Sequence, residues 1–315
     1  MNFAYLLQRL ALAILVILGV TLVVFLIIQL IPGDPAQISL GVQATADRVE
    51  QRRETMGLNR PLTEQYLDWL GSAIQGDFGE SLLTGQSVSS LIKQRLPATL
   101  QLAFLAIIIG IVVAFPLGVI SAMRPNSPTD LIASLLSQIG IAVPDFWMAI
   151  LLVLLFSETL DVLPPSGYVK ITDNFGGWLS HMILPALTAG LISASIQTRF
   201  IRSAMLETLN QNYITTARAK GLAERVVVLR HAMRNALITI VTIIGLQVTA
   251  LLSAVVVIEI VFNLPGLGRL ALDAVLDRDY TLLQGAVFVS ALIVTLINLT
   301  VDLTYFFLDP RINRQ

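Results

Sequence analysis

Of the 315 residues, 55% are hydrophobic and only 13% are charged, with a mean hydropathy of +0.78, whereas an ordinary soluble domain carries roughly 25% charged residues. This is the composition of an integral membrane protein. A net charge of -1 argues against nucleic-acid binding, and the lack of cysteine excludes disulfides, thiol catalysis and cysteine metal sites.

A helix that crosses the hydrocarbon needs about 20 mostly apolar residues, and six uncharged runs qualify. The first follows Arg9 and ends near Ile31. Its apolar stretch exceeds that of a signal peptide and lacks a small-residue cleavage site, so it reads as a retained span. Residues 32–97 form an amphipathic segment between the first and second spans. Within it, "ADRVEQRRETMGL" reads as a charged helix stopped by Gly57, and "RPLTEQYLDWLGSAI" as a second helix that starts at Pro61 and repeats apolar residues at Leu62, Tyr66, Leu70 and Ala73. Capping the outer mouth and merely covering helix ends are both open to this segment.

The second span lies between Arg95 and Arg124, with Pro116 and Gly118 inside it. The third runs from about Leu131 to Ser157 with Pro144 and Asp145 near its middle. The fourth spans about Trp178 to Thr198, the fifth about Ala236 to Ile258, and the sixth about Tyr280 to Leu308. Residues 98–315 therefore hold five spans and one basic loop, at about 206–235. Arg199, Arg202, Arg218, Lys220, Arg225, Arg230 and Arg234 follow the fourth span, so this loop is expected in the cytoplasm. Six spans then put both termini on the cytoplasmic side, in agreement with Arg124, Arg311 and Arg314, and the 32–97 segment outside.

In the basic loop the fourth span continues through "RSAMLETLNQNYITTARAK" and turns at Gly221, a residue suited to the left-handed position that ends a helix. A second short helix starts near Ala223. Such an element, with small residues Ala217 and Ala219, can dock on a partner, Arg218, Lys220, Glu224 and Arg225 setting the electrostatic register. The alternative is that its arginines fix topology and attract anionic lipid headgroups. Arg199 and Arg202 read as topology residues.

At this loop the chain resembles the permease subunits of bacterial ABC importers, in the dipeptide, oligopeptide and nickel subclass. "NYITTARAKGL" follows the subclass form; Thr215, Thr216, Ala217 and Gly221 stand at the Glu-Ala-Ala and Gly positions of the wider family, with the glutamate and first alanine replaced. Further similarity runs through "IPGDPA", "GLNRPLTEQYLDWL", "GDFGES", "RLPATLQLA", "PDFW", "HMILPA", "RNAL", "IEIVFNLPGLGRLALDAVLDRDY" and "INLTVDLTYFFLDPRI". Thr239 departs from the pattern, which commonly has proline there. The long segment after the first span is similar to the first permease of the usual pair.

The resemblance implies an all-α fold of six transmembrane helices, the type I importer permease fold, in the bacterial inner membrane. It also implies that a sister permease completes the pathway for a small solute, that two ATPase domains bind the coupling helix, and that an extracytoplasmic solute-binding protein delivers the solute. ATP and Mg are expected on the ATPase subunits, since this chain has no G-x-x-x-x-G-K-[ST] phosphate loop and is not itself an enzyme. Di- or oligopeptides are the leading cargo, with a nickel chelate as a related one. An ATP-independent secondary transporter or channel is the alternative, although no internal repeat supports it.

Asp145, framed by Pro144 and Phe146, is an intramembrane carboxylate, costly enough to need a polar cavity or partner. It is a candidate pathway residue or a cap on a broken helix. Glu259, ahead of "VFNLPGLG", is expected to organise an outer turn by accepting backbone hydrogen bonds. Asn298 and Asp302 suit bonds between helices. His181 and His231, the two histidines, fall on opposite sides of the membrane and cannot share a metal.

Overall fold

A computed structural model describes residues 3–31, 33–41 and 44–308; Pro32, Arg311 and Arg314 lie outside them. The described chain is helical, with an isolated bridge between Glu80 and Ser87. Its helices are α1 (Phe3–Leu30), α2 (Pro35–Leu40), α3 (Ala46–Thr55), α4 (Leu62–Ile74), α5 (Val88–Met123), α6 (Pro128–Ala142), α7 (Asp145–Val153), α8 (Phe175–Leu209), α9 (Asn212–Ala219), α10 (Glu224–Val226), α11 (Met233–Val261), α12 (Leu267–Leu276) and α13 (Tyr280–Leu308). Wider π-helical turns extend α7 over Leu154–Thr159 and join α10 to α11 over Val227–Ala232.

Among the described residues five helices are long and apolar enough to cross a membrane, or six if the third candidate is counted as one span. That span is not the straight helix its hydropathy suggests. Pro144 cannot donate to the preceding turn and forces Val143 into an extended conformation (ψ 124°). The chain therefore bends by 107° between α6 and α7.

By its contacts the chain divides into two compact units. One comprises residues 2–99 and 265–296. Here α3 ends at Gly57, whose φ of +69° only glycine adopts freely, and α4 starts after Pro61 as the sequence suggested. Ala73 of α4 is buried with Phe78, Val88, Leu267 and Phe288, while Leu62 stays exposed. Asp279 is buried and caps α13: its Oδ1 accepts from the Leu282 backbone at 3.1 Å, and its Oδ2 takes the Ser81 hydroxyl at 2.5 Å.

The other unit comprises residues 100–264 and 297–315. Its central feature is the close approach of α5 and α8. Ala106, Gly110 and Ala114 on one helix, and Ala186, Gly190 and Ala194 on the other, recur at four-residue spacing and are buried. A Cβ on Gly190 would sit 2.7 Å from Ile109 and 3.1 Å from the Ala106 carbonyl, so the two backbones meet where side chains are smallest. In the same unit Thr249 donates to Asn298 Oδ1 at 2.6 Å, the bond between helices expected of Asn298.

Candidate functional site

The basic loop departs from the expected outline in one respect. α8 does not run on to Gly221 but ends at Leu209, and α9 begins afresh at Asn212. Behind it, α10 and the π turn lead directly into α11. Gly221 has φ +76°, its N–H reaches the Arg218 carbonyl at 2.9 Å, and the Leu222 N–H reaches the Ala217 carbonyl at 3.4 Å. These two bonds form the double closure that ends a helix on glycine.

Only α9's outward face is open. Ile214 and Ala217, three residues apart, turn inward and are buried with Val227, Val228 and Ala232. Ala217, expected to touch a partner, is therefore packed within its own chain, as the helical period of α9 requires. Tyr213 accepts from the Asn235 amide at 2.7 Å, which ties α9 to α11. Arg218 and Glu224 bind each other across the Gly221 turn at 2.7 and 3.1 Å. Each partner is about half exposed, and the guanidinium holds the Glu224 carboxyl below its usual range, chiefly through the hydrogen bond. Thr215, Thr216, Ala219, Lys220, Gly221 and Arg225 remain exposed.

Arg202 has more than a topological role. Its Nε and Nη2 donate to Asp130 at 2.6 and 2.8 Å. Asp130 is buried and also accepts from the Asn126 backbone at 2.9 Å and from the Ser121 hydroxyl. The pair joins the start of α6 to α8. Asp130 and Arg202 stand 72 residues apart, so no helical spacing rule could have paired them.

Inside the spans, Asp145 lines a cavity of about 200 Å3 between α7, α8 and α11. Ser193 and Gln247 are its other polar residues, and the rest of the lining is apolar. Pro144, Phe146 and Glu259 do not line it. Pro144, just before α7, and Phe146 on it are exposed. Glu259 is fully buried, and its main-chain carbonyl accepts from the Leu264 N–H at 2.8 Å, with Asn263 at φ +54° closing α11. The turn is thus closed through the main chain of Glu259. His181 Nδ1 lies 2.7 Å from the Gly177 carbonyl, and His231 falls in the π turn before α11.

Apolar helices, one span broken at Pro144, surround a small cavity with three polar residues, and a short helix packs on the surface, an architecture that suits a membrane transport subunit. The chain belongs to the family described as binding-protein-dependent transport system inner membrane component, matched over residues 114–314, and is a permease subunit of an ABC importer. The family described as the N-terminal part of the binding-protein-dependent transport system membrane component matches residues 2–103. The oligopeptide transport system permease protein AppB of Bacillus subtilis is 39% identical, the match covering 98% of this chain and 99% of AppB. A putative peptide transport system permease of Brucella suis is 42% identical, with the same coverage of both chains. In fold the chain is similar to one from the MetNI methionine ABC transporter in inward-facing conformations. That match has TM-score 0.57 and 16% identity, and covers 70% of this chain and 96% of the other. Membership of this family sets aside the ATP-independent carrier.

Proposed function

We propose that this chain forms half of the pathway of an ATP-driven importer of short peptides and receives the ATPase stroke on α9. The seating of α9 carries the coupling reading. Ile214, Ala217 and the bond from Asn235 to Tyr213 hold its inner face, while Thr215, Thr216, Ala219, Lys220 and Gly221 are left open. A push on that outer face passes to α11 through packed side chains and a hydrogen bond, without a flexible link.

A sister permease, two ATPase domains carrying ATP and Mg, and an extracytoplasmic binding protein complete the assembly. The basic residues around α9 favour the cytoplasm for this end and for both termini. Peptide cargo is supported by relatives named for peptide or oligopeptide transport at 39% and 42% identity over nearly the whole chain. Asp145, with Ser193 and Gln247, forms a polar strip on the pathway wall.

The test is reconstitution with the sister permease and ATPases in vesicles, read as ATP-dependent uptake of a labelled tripeptide supplied with its binding protein. Ala219→Trp, at an exposed position, should abolish uptake and ATPase association with normal membrane insertion. Asp145→Asn should slow uptake while the ATPases stay bound. Full uptake by Ala219→Trp would remove α9 from coupling, and unchanged kinetics in Asp145→Asn would remove that residue from the pathway.

A further inference from the structure

A second cavity of about 200 Å3 lies between α6 and the end of α8, with Ser121 of α5 at its back. It falls between two contacts of these helices. One is the Asp130–Arg202 pair; at the other, α6 and α8 meet so closely that a Cβ on Gly140 would collide with the Ser195 side chain. The lining shares no residue with the cavity at Asp145 or with α9.

Arg199 and Arg202 both line this cavity, and no carboxylate does. Arg202 gives Nε and Nη2 to Asp130, which leaves Nη1 without a hydrogen bond among the described residues; its side chain is 30% exposed. Arg199 is exposed, and its guanidinium lies 5.7 Å from the Phe200 ring, with no ion-pair partner among the described residues. Ser134 and Gln138 line the same space, and their side chains make no hydrogen bond among the described residues. Since Asp130 offsets only Arg202, the positive charge of Arg199 is left uncompensated. Guanidinium N–H groups only donate, in a fork that matches carboxylate and phosphate, so the fitting occupant is an oxyanion.

Depth in the membrane selects among oxyanions. A polar turn at 124–127, with Arg124, Asn126 and Ser127, joins α5 to α6 and suits the membrane surface. Counted from Pro128, the start of α6, Ser134 lies about 9 Å along the helix and Ile141 about 20 Å, at roughly 1.5 Å per residue. The headgroup layer is about 5–8 Å thick on each side of the bilayer. The donors therefore stand near the boundary between headgroups and hydrocarbon, and the lining becomes apolar further in, at Ile141. Leu135 and Ile139, which flank the lining positions on α6, are apolar and exposed. Charge at the surface and apolar chain beneath it is the order of a phospholipid, and basic pockets between membrane helices hold such headgroups.

We propose that this cavity binds the phosphate of an anionic phospholipid through Arg199 and Nη1 of Arg202, with Ser134 and Gln138 completing its hydrogen bonds and the acyl chains lying along Leu135 and Ile139. The phosphate bonds α6 and α8 at once. It is a removable brace between them, beside the permanent one from Arg202 to Asp130.

The test uses the assembled importer, stripped of lipid in detergent and titrated with phosphatidylglycerol, with bound lipid read by native mass spectrometry. A single lipid for each copy of this chain should bind ahead of the rest and raise thermal stability. Arg199→Gln should weaken that step about 10- to 100-fold, the worth of a charge-assisted hydrogen bond; Arg199→Lys, which keeps the charge without the fork, should weaken it less. Gln138→Trp, at an exposed position in the lining, should block the step. Both sites are exposed, so lipid-free stability should stay at the wild-type level. Phosphatidylcholine, whose phosphate is balanced by choline, should bind less tightly than phosphatidylglycerol. Absence of a preferred lipid in the wild type would leave only water in the cavity and overturn the proposal. A preferred lipid that survives both Arg199→Gln and Gln138→Trp sits elsewhere and overturns it too. Displacement of the lipid by inorganic phosphate or by trileucine would assign the cavity to a free anion or to the carboxylate of cargo, again against the proposal.

Discussion

Replacing Arg202 with methionine should destabilise the chain by about 3–5 kcal/mol, the usual penalty when one partner of a buried ion pair is removed. The magnitude follows from the surroundings of Asp130, whose side chain is 6% exposed and receives both guanidinium bonds. Without Arg202 the carboxylate retains the Asn126 N–H and the Ser121 hydroxyl. It loses its compensating charge, and that loss dominates, since even a charge-assisted hydrogen bond is worth only about 1.5–3 kcal/mol. Pairing Arg202→Met with Asp130→Asn removes both charges and should restore most of the stability, so the double-mutant cycle isolates the interaction. The assay is denaturant-dependent unfolding of the wild type, both single variants and the double variant in one detergent. An Arg202→Met variant within about 1 kcal/mol of wild type, far below the buried-pair penalty, would refute the reasoning. So would a double variant no more stable than Arg202→Met alone.

Gly190→Val should prevent α5 and α8 from closing, because its Cβ alone would come 3.1 Å from a backbone carbonyl that cannot rotate away; protease resistance of the membrane-inserted chain reads this, and wild-type resistance would contradict it. Glu224→Gln should loosen the Gly221 turn by about 0.2–1 kcal/mol, as for other exposed pairs, seen as faster amide exchange at Gly221 and Leu222. The Glu224 carboxyl is lowered by Arg218 from an ordinary value of 4.5. The pair therefore contributes above that ordinary value, fades as pH falls below it, and is lost once pH passes beneath the lowered folded value. Amide exchange that stays flat across that acid range would count against the pair. Asn298→Leu should cost about 0.6 kcal/mol, the average for a hydrogen bond between membrane helices, and lose its effect when Thr249 is already valine.

The spans, the stops at Gly57 and Gly221 and the start at Pro61 were legible because hydropathy and backbone permissiveness are local properties. The bend at Pro144 was only half legible: proline announced a break, but the apolar run continued on both sides and carried no angle. The inward turn of Ala217 could have been read from Ile214, three residues before it, had the loop been treated as a separate amphipathic helix. Arg218 and Glu224 lie six residues apart across a turn, where helical spacing rules do not apply. The alanine and glycine spacing of α5 and α8 was present in the sequence, yet small residues are common in apolar runs and only the facing helix gives the pattern meaning.

The break before α7 also sets up an electrostatic field within the span. A helix start carries about half a positive elementary charge, and the bend puts such a start beside the cavity, with Asp145 as the first residue of the helix. On the proposed pathway an ionised Asp145 would outweigh that partial charge, and a passing group would meet a negative wall. Asparagine would leave the helix end exposed and reverse the sign: the same cavity would then attract the carboxylate terminus of a peptide and repel its ammonium.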